Sequence, residues 1–334
     1  MKFLKTYKIL FCISALLVSG ILLGISSPEI FDEHKINFSL QEVISIVRKH
    51  SIYKDQIDWD KIEGEFLDKS NLCQSYEEIY LVISQLLHEI GDKHGFILLP
   101  DQINQRNAHI SDTIRGNLIE DGIGYINIPS CPSLDVSLNQ DYAQRLQNTI
   151  KKIDNSNING WVIDLRNNNG GNLWPMLLGL GPIIGSKVLG YFIDSENEYI
   201  SFSYENGTVK YGDSVQLLMP NKNYYIAKCN KPIIAILIGR STASSGEILA
   251  IALRNSYSKV FGEYSAGFTN STKMFELNDG ALLFITSSRI ASLDKKICSE
   301  IIKPDVIVPS ENDEVILKEA IGWIKSFKNS NRVE

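Results

Sequence analysis

The chain is poor in residues that build metal and redox centres. Five cysteines and five histidines are scattered over 334 residues with no Cys-x-x-Cys or His-x-x-x-His spacing, which argues against a zinc site. Basic residues are also short, 33 against 39 acidic for a net charge of −6, and they form no long run. Nucleic acid is therefore a poor main partner. Internal repeats and low-complexity segments are absent, so solenoid and linker-like chains are excluded. What remains, 44% hydrophobic and 22% charged, is a globular composition with enough material for one large domain or two ordinary ones. Of the cysteines, Cys12 lies in an N-terminal apolar stretch. Cys73, Cys131, Cys229 and Cys298 are left to pair or stay free.

Lys2, Lys5 and Lys8 precede an almost unbroken apolar run from Ile9 to Ile25. Its length is near the lower limit for a membrane span and exceeds most signal-peptide cores. The positive flank keeps its own end in the cytoplasm and sends the rest across. With no good small-x-small site after the run, an uncleaved single-pass anchor over residues 1–26 is the preferred expectation, a cleaved signal peptide the alternative. In both cases the working domain is extracytoplasmic.

A linker is expected over residues 27–37, then a helical subdomain over 38–112. Ser39-Leu40-Gln41-Glu42 and Ser75-Tyr76-Glu77-Glu78 are capping-box patterns. The second leads into Ile79, Val82, Ile83, Leu86 and Ile90 at helical spacing, with Gly91 as the stop. Over residues 113–334 strands and helices alternate: strands at Gly122–Ile128, Gly160–Leu165, Pro232–Ile238 and Lys259–Gly262, helices at Asp141–Ile153 and after Ser245. A hairpin turns at Asn278-Asp279-Gly280, and a last helix spans roughly Glu314–Phe327. The fold class is α/β, with β-rich insertions.

Chemistry concentrates in three places. Gly239-Arg240-Ser241-Thr242-Ala243-Ser244-Ser245-Gly246-Glu247 joins an apolar strand to an apolar helix. Ser244 there is either a nucleophile with the Ser245 N–H as oxyanion donor, or simply the N-cap of a capping box closed by Glu247. Asp164-Leu165-Arg166-Asn167-Asn168-Asn169-Gly170-Gly171 is a strand end whose paired glycines let backbone N–H groups approach a ligand, a second oxyanion donor from Gly170 or Gly171. His94, in Gly91-Asp92-Lys93-His94-Gly95, sits on a tight turn and suits a base near neutral pH, whereas His34, His50, His88 and His109 read as solvated or structural.

As a set these motifs resemble the tail-specific, or C-terminal processing, serine proteases. Gly262-Glu263-Tyr264-Ser265-Ala266-Gly267-Phe268, Asp279-Gly280 and Lys303-Pro304-Asp305 match as well, so the resemblance covers roughly residues 40 to 326. Within the family the chain most resembles the membrane-anchored nisin-resistance proteins, through Gly171-Asn172-Leu173-Trp174-Pro175-Met176 onward. The resemblance implies a peptidase core with Ser244 as nucleophile, His94 as base, and no metal or organic cofactor. Two departures matter. Bacterial processing proteases carry a lysine base where this chain has Phe268, which disfavours Ser-Lys chemistry. They also carry a PDZ domain after the helical region, and the stretch between His94 and the strand at Gly122 is too short for one.

Asp294, Glu300 and Glu247 are candidates for an acid that orients His94. Trp174, Met176 and Phe268 would suit an apolar peptide, or the core. The expected activity is Ser-His cleavage of a peptide at the membrane surface, a lanthionine-containing antimicrobial peptide clipped near its C-terminus or another secreted peptide. The alternative from a different class is a protein that binds a peptide or lipid without cutting it.

Overall fold

The structure, a computed structural model, describes residues 33–108, 113–120, 122–155, 157–158, 160–309 and 313–330. The expected anchor, most of the expected linker, His109 and the expected boundary at 112/113 lie outside these residues. Among the described residues no helix is long and apolar enough to cross a membrane. Cys73, Cys131, Cys229 and Cys298 are free thiols.

Three helices come first: α1 (Glu33–His50), α2 (Trp59–Ser70) and α3 (Tyr76–Glu89). α1 starts ahead of the Ser39 capping pattern, because nothing between Glu33 and Phe38 breaks a helix and the pattern is carried inside it. α3 starts as its sequence predicts, with the Ser75 hydroxyl accepting from the Glu78 N–H at 3.2 Å. It ends in a Schellman motif: the Gly91 N–H bonds the His88 carbonyl at 3.0 Å and the Asp92 N–H the Leu87 carbonyl at 2.9 Å. Gly91 takes φ +84°, open to glycine, and the turn drives Asp92 into the interior, 2% exposed.

The chain continues through β1 (Phe96–Leu98), α4 (Pro100–Ala108), β2 (Gly116–Glu120), β3 (Ile123–Asn127), α5 (Val136–Ile153), β4 (Gly160–Asp164) and α6 (Leu173–Ile184). A meander of β5 (Lys187–Asp194), β6 (Tyr199–Glu205), β7 (Thr208–Tyr211) and β8 (Ser214–Leu218) follows. Then come β9 (Ile233–Ile238), α7 (Ser245–Leu253), β10 (Ser258–Gly262), β11 (Ser271–Glu276), β12 (Leu282–Ala291), β13 (Val306–Ile307) and α8 (Asp313–Ser330).

Two sheets organise these elements. One has the order β13-β10-β9-β4-β3-β2, parallel except for β2 at its edge. Its central strands are buried on both faces, hence the continuous apolar sequence of β9. On one face Trp161, Ile163 and Ile236 pack with α5, α6 and α7; on the other Val162, Ala235 and Leu237 meet Ile316, Ala320 and Ile324 of α8. The second sheet is antiparallel, in the order β1-β12-β5-β6-β7-β8 with β11 also on β12. Leu277, Ala281, Leu283 and Ile285 from the β11–β12 hairpin share one core with α1–α3, so the helical layer is built onto this sheet. β4 and β9 lie side by side in parallel register, Asp164 opposite Leu237, and the two motif loops leave the same sheet edge together. That edge, beyond the carboxyl ends of parallel strands, is where α/β sheets hold ligands.

Candidate active site

The two loops are stitched to each other before either can present a side chain. The Leu165 N–H bonds the Leu237 carbonyl at 2.8 Å, the Thr242 hydroxyl the Leu165 carbonyl at 2.8 Å, and the Ala243 N–H the Asn168 carbonyl at 2.9 Å. Asn168 is fully buried; its Nδ2 bonds the Ile128 carbonyl at 2.9 Å, and its Oδ1 accepts the Gly170 N–H at 2.9 Å. Gly170 is thereby committed. Its N–H serves the turn and is not a free oxyanion donor, which corrects one of the two expected alternatives.

Gly171 is the other. It forms a parallel bridge with Cys131, in which Cys131 and Asn172 supply the N–H groups, so the N–H of Gly171 faces the opposite way. Among the described residues it has no acceptor, and neither has the Ser245 N–H at the start of α7. A Cβ on Gly171 would sit 2.3 Å from the Cys131 carbonyl oxygen, and φ is +104°. Only glycine fits there.

Ser244 stands at φ 53°, ψ −122°, a strained conformation for a residue with a side chain, at the strand-to-helix turn heading α7. Its Oγ lies 3.0 Å from His94 Nε2 across 150 residues of sequence. The cap reading is also true in part: the Glu247 carboxylate accepts the Ser244 N–H at 2.8 Å. Capping and chemistry are divided between backbone and side chain of the same residue.

His94 is held from below by Asp92, which sequence reading left without a role. Asp92 Oδ1 accepts from the N–H groups of His94 and Gly95 at 3.2 and 2.7 Å, and its carboxylate takes the Thr286 hydroxyl and N–H at 2.5 and 2.8 Å. The histidine turn is so pinned to β12. The signal for this was present: an aspartate two residues before the histidine can form an Asx-type turn. Burial lowers the His94 pKa below its usual 6.5, opposed by the Asp92 charge and the Asn270 backbone. Nδ1 is buried and has no well-formed hydrogen bond.

None of the three candidate acids bonds that nitrogen. Asp294 is exposed and paired with Lys296 and Ser292, which hold its carboxyl down to about 2. Glu300 is exposed and contributes its backbone beside Gly267. Glu247 is buried beneath Ser244. Its four partners are the Ser244 N–H, the Ser265 hydroxyl and the N–H groups of Gly267 and Phe268.

Ser244 and His94 open into a cleft of about 870 Å³. Trp174 and Phe268 line it, the Phe268 ring 5.3 Å from the His94 ring. Met176 does not: it is fully buried, its Sδ 3.2 Å from Asn168 Nδ2, because that turn of α6 faces the core. Lys273 is on β11 with its ammonium 5.2 Å over the Phe275 ring. Between His94 and β2 the described chain forms only β1 and α4. Among the described residues no three His, Cys, Asp or Glu side chains gather to hold a metal ion. A serine hydroxyl at a histidine, with unclaimed N–H groups at the start of α7 and at the glycine turn, is equipped for acyl transfer.

Comparison with known proteins agrees. The nisin-resistance protein of Lactococcus lactis subsp. lactis is 29% identical over 306 residues, 89% of this chain and 90% of that one. The carboxy-terminal processing protease CtpA of Bacillus subtilis is 25% identical over 58% of this chain, which spans 37% of its length. Among solved structures, a lipoprotein from Streptococcus agalactiae superposes with a TM-score of 0.74 at 24% identity, covering 92% of this chain and 99% of that one. The photosystem II D1 C-terminal processing protease has a TM-score of 0.52 at 15% identity, with 84% and 95% covered. Both share the fold. The model of peptidase family S41 matches residues 122–308, more than half of the chain. The chain belongs to peptidase family S41 and is a serine-type peptidase.

Proposed function

We propose that this protein is an anchored extracytoplasmic peptidase that cuts a secreted peptide by a Ser-His mechanism, with a lanthionine-containing peptide such as nisin as the leading substrate. The observation that carries the mechanism is the 3.0 Å contact between Ser244 Oγ and His94 Nε2; the Ser245 and Gly171 N–H groups, without an acceptor among the described residues, are left for an oxyanion. Ser244 attacks the peptide carbonyl while His94 takes its proton at Nε2. The N–H groups of Ser245 and Gly171 stabilise the tetrahedral oxyanion. His94 then protonates the leaving amine, and water enters by the reverse route to release the acyl group. With no carboxylate bonded to Nδ1 among the described residues, the pair works as a dyad. Phe268, beside the imidazole, supplies no base of its own and keeps water from the ring.

The substrate rests on the Lactococcus relative, similar along 89% of this chain and named for nisin resistance. The anchor rests on the charged flank and apolar run before Ile25. The test is mass spectrometry of nisin and a linear control peptide incubated with full-length wild type and Ser244→Ala protein. New masses near the C-terminus are expected with wild type alone. Equal cleavage by Ser244→Ala rejects the nucleophile, and binding without new masses favours the non-hydrolytic alternative.

The direction of the His94 shift sets the pH profile. The base must be neutral, so kcat/KM falls as pH drops through the His94 pKa. Because burial lowers that pKa, the acid limb should reach half-maximum below pH 6.5. A limb above 6.5, measured in the free-enzyme parameter kcat/KM, contradicts a desolvated His94 as the base.

A further inference from the structure

The protein carries more acidic than basic residues, yet its cleft reverses that balance. Lys93, Arg106 and Lys273 line it, and no aspartate or glutamate is among its lining residues. Arg106 is the unusual member. It sits half-buried in the last turn of α4, and among the described residues it has neither an ion pair nor a hydrogen bond. Its guanidinium lies over the Phe96 ring, with the guanidinium carbon 5.1 Å from the centroid. Phe96 is itself stacked on Phe284 at 4.5 Å, where β1 pairs with β12. The guanidinium is thus propped over a fixed aromatic platform with its donors unspent. Burial without a counter-charge disfavours its charged state. An arginine held this way gains from an anion that the described residues do not supply.

The position tells which part of a substrate would bring that anion. His94 must protonate the leaving nitrogen, so the leaving, C-terminal segment runs along the histidine side of the cleft. Phe96 is two residues beyond His94, about 7 Å along an extended chain. Adding the stacking distance to the guanidinium places it roughly two to four extended residues past the cut bond. Resting on the peptidase reading above, we propose that Arg106 is a specificity-determining residue that takes a carboxylate on the leaving segment of the peptide. The carboxylate is either the terminal one or an acidic side chain, held bidentately by the guanidinium fork.

The test uses one cleaved peptide remade with a three-residue leaving segment in three forms: free acid, C-terminal amide, and amide with a glutamate in the segment. Wild type should cut the free acid or the glutamate amide at least about tenfold faster in kcat/KM than the neutral amide. Whichever form gains identifies the source of the carboxylate. In Arg106→Gln the advantage should vanish, the three forms then being cut at one common rate. Arg106→Glu should prefer a lysine-containing segment. Equal rates for all three forms in wild type overturn the proposal, as does an advantage that survives Arg106→Gln. Should no peptide be cut at all, the same three peptides, fluorescein-labelled, are titrated onto full-length Ser244→Ala protein. Tighter binding of the anionic forms, lost on adding Arg106→Gln, upholds the anchor while the peptidase reading fails; equal binding rejects the anchor.

Discussion

Replacing Ser244 by alanine should lower kcat/KM by about 10⁴–10⁶-fold, replacing His94 by alanine should do much the same, and combining them should cost no more than either alone. The reason is geometric. With Oγ and Nε2 in contact at 3.0 Å, the hydroxyl is a nucleophile only while the imidazole can accept its proton. Removing either partner removes the same step. What survives is binding and the oxyanion donors, which belong to the backbone and are untouched by both substitutions. Single-turnover cleavage of one peptide by the two single variants and the double variant checks this. Losses that multiply in the double variant would mean that the two residues act independently, and the dyad would be wrong.

Much of this site is legible in the residue order, for a physical reason. Ser244, His94 and the glycine turn, the proposed nucleophile, base and oxyanion site, each lie on a loop whose local chemistry is written in small, polar and φ-permissive residues beside apolar elements of clear period. Strands β4 and β9, helix α7 and the β11–β12 hairpin follow from those patterns. Less legible is anything decided by long-range packing. The β5–β8 meander alternates weakly, with side chains such as Ser201, Ser203 and Lys210 at half-covered positions, and its strands go unplaced. Met176 lies between cleft residues in sequence, but the helical turn sends it under Asn168. The choice between Gly170 and Gly171 depended on where one asparagine oxygen points. Asp92 holds the His94 turn through a local Asx pattern, but its other partner, Thr286 on β12, lies 194 residues away, and that half of the support is announced by no local pattern.

Glu247 carries the second large effect. Its position three residues after Ser244 reads as a helix cap, and as a candidate to orient His94, but the structure gives it a different task. Fully buried, it gathers Ser244, Ser265, Gly267 and Phe268 around one carboxylate. It thereby fixes the Ser244 backbone and the loop that sets the Phe268 ring against His94. Burial raises its pKa and the four donors oppose that rise, so the charge is held in place by the very groups it positions. Glu247→Ala strands four donors at once, one buried and three partly so, and should destabilise the fold by roughly 3–5 kcal/mol, read from chemical denaturation. In the fraction that remains folded, kcat should fall about 10²-fold with KM little changed, because Ser244 loses its aim rather than the peptide its groove. Glu247→Gln separates the two effects. Its amide oxygen can still accept from Ser244 and Phe268, while its NH₂ confronts the Gly267 N–H and orphans that donor. The cost should then be about 1–3 kcal/mol, with most of kcat retained. If Glu247→Gln instead abolished turnover while keeping wild-type stability, the carboxylate would have a chemical role that this geometry does not give it.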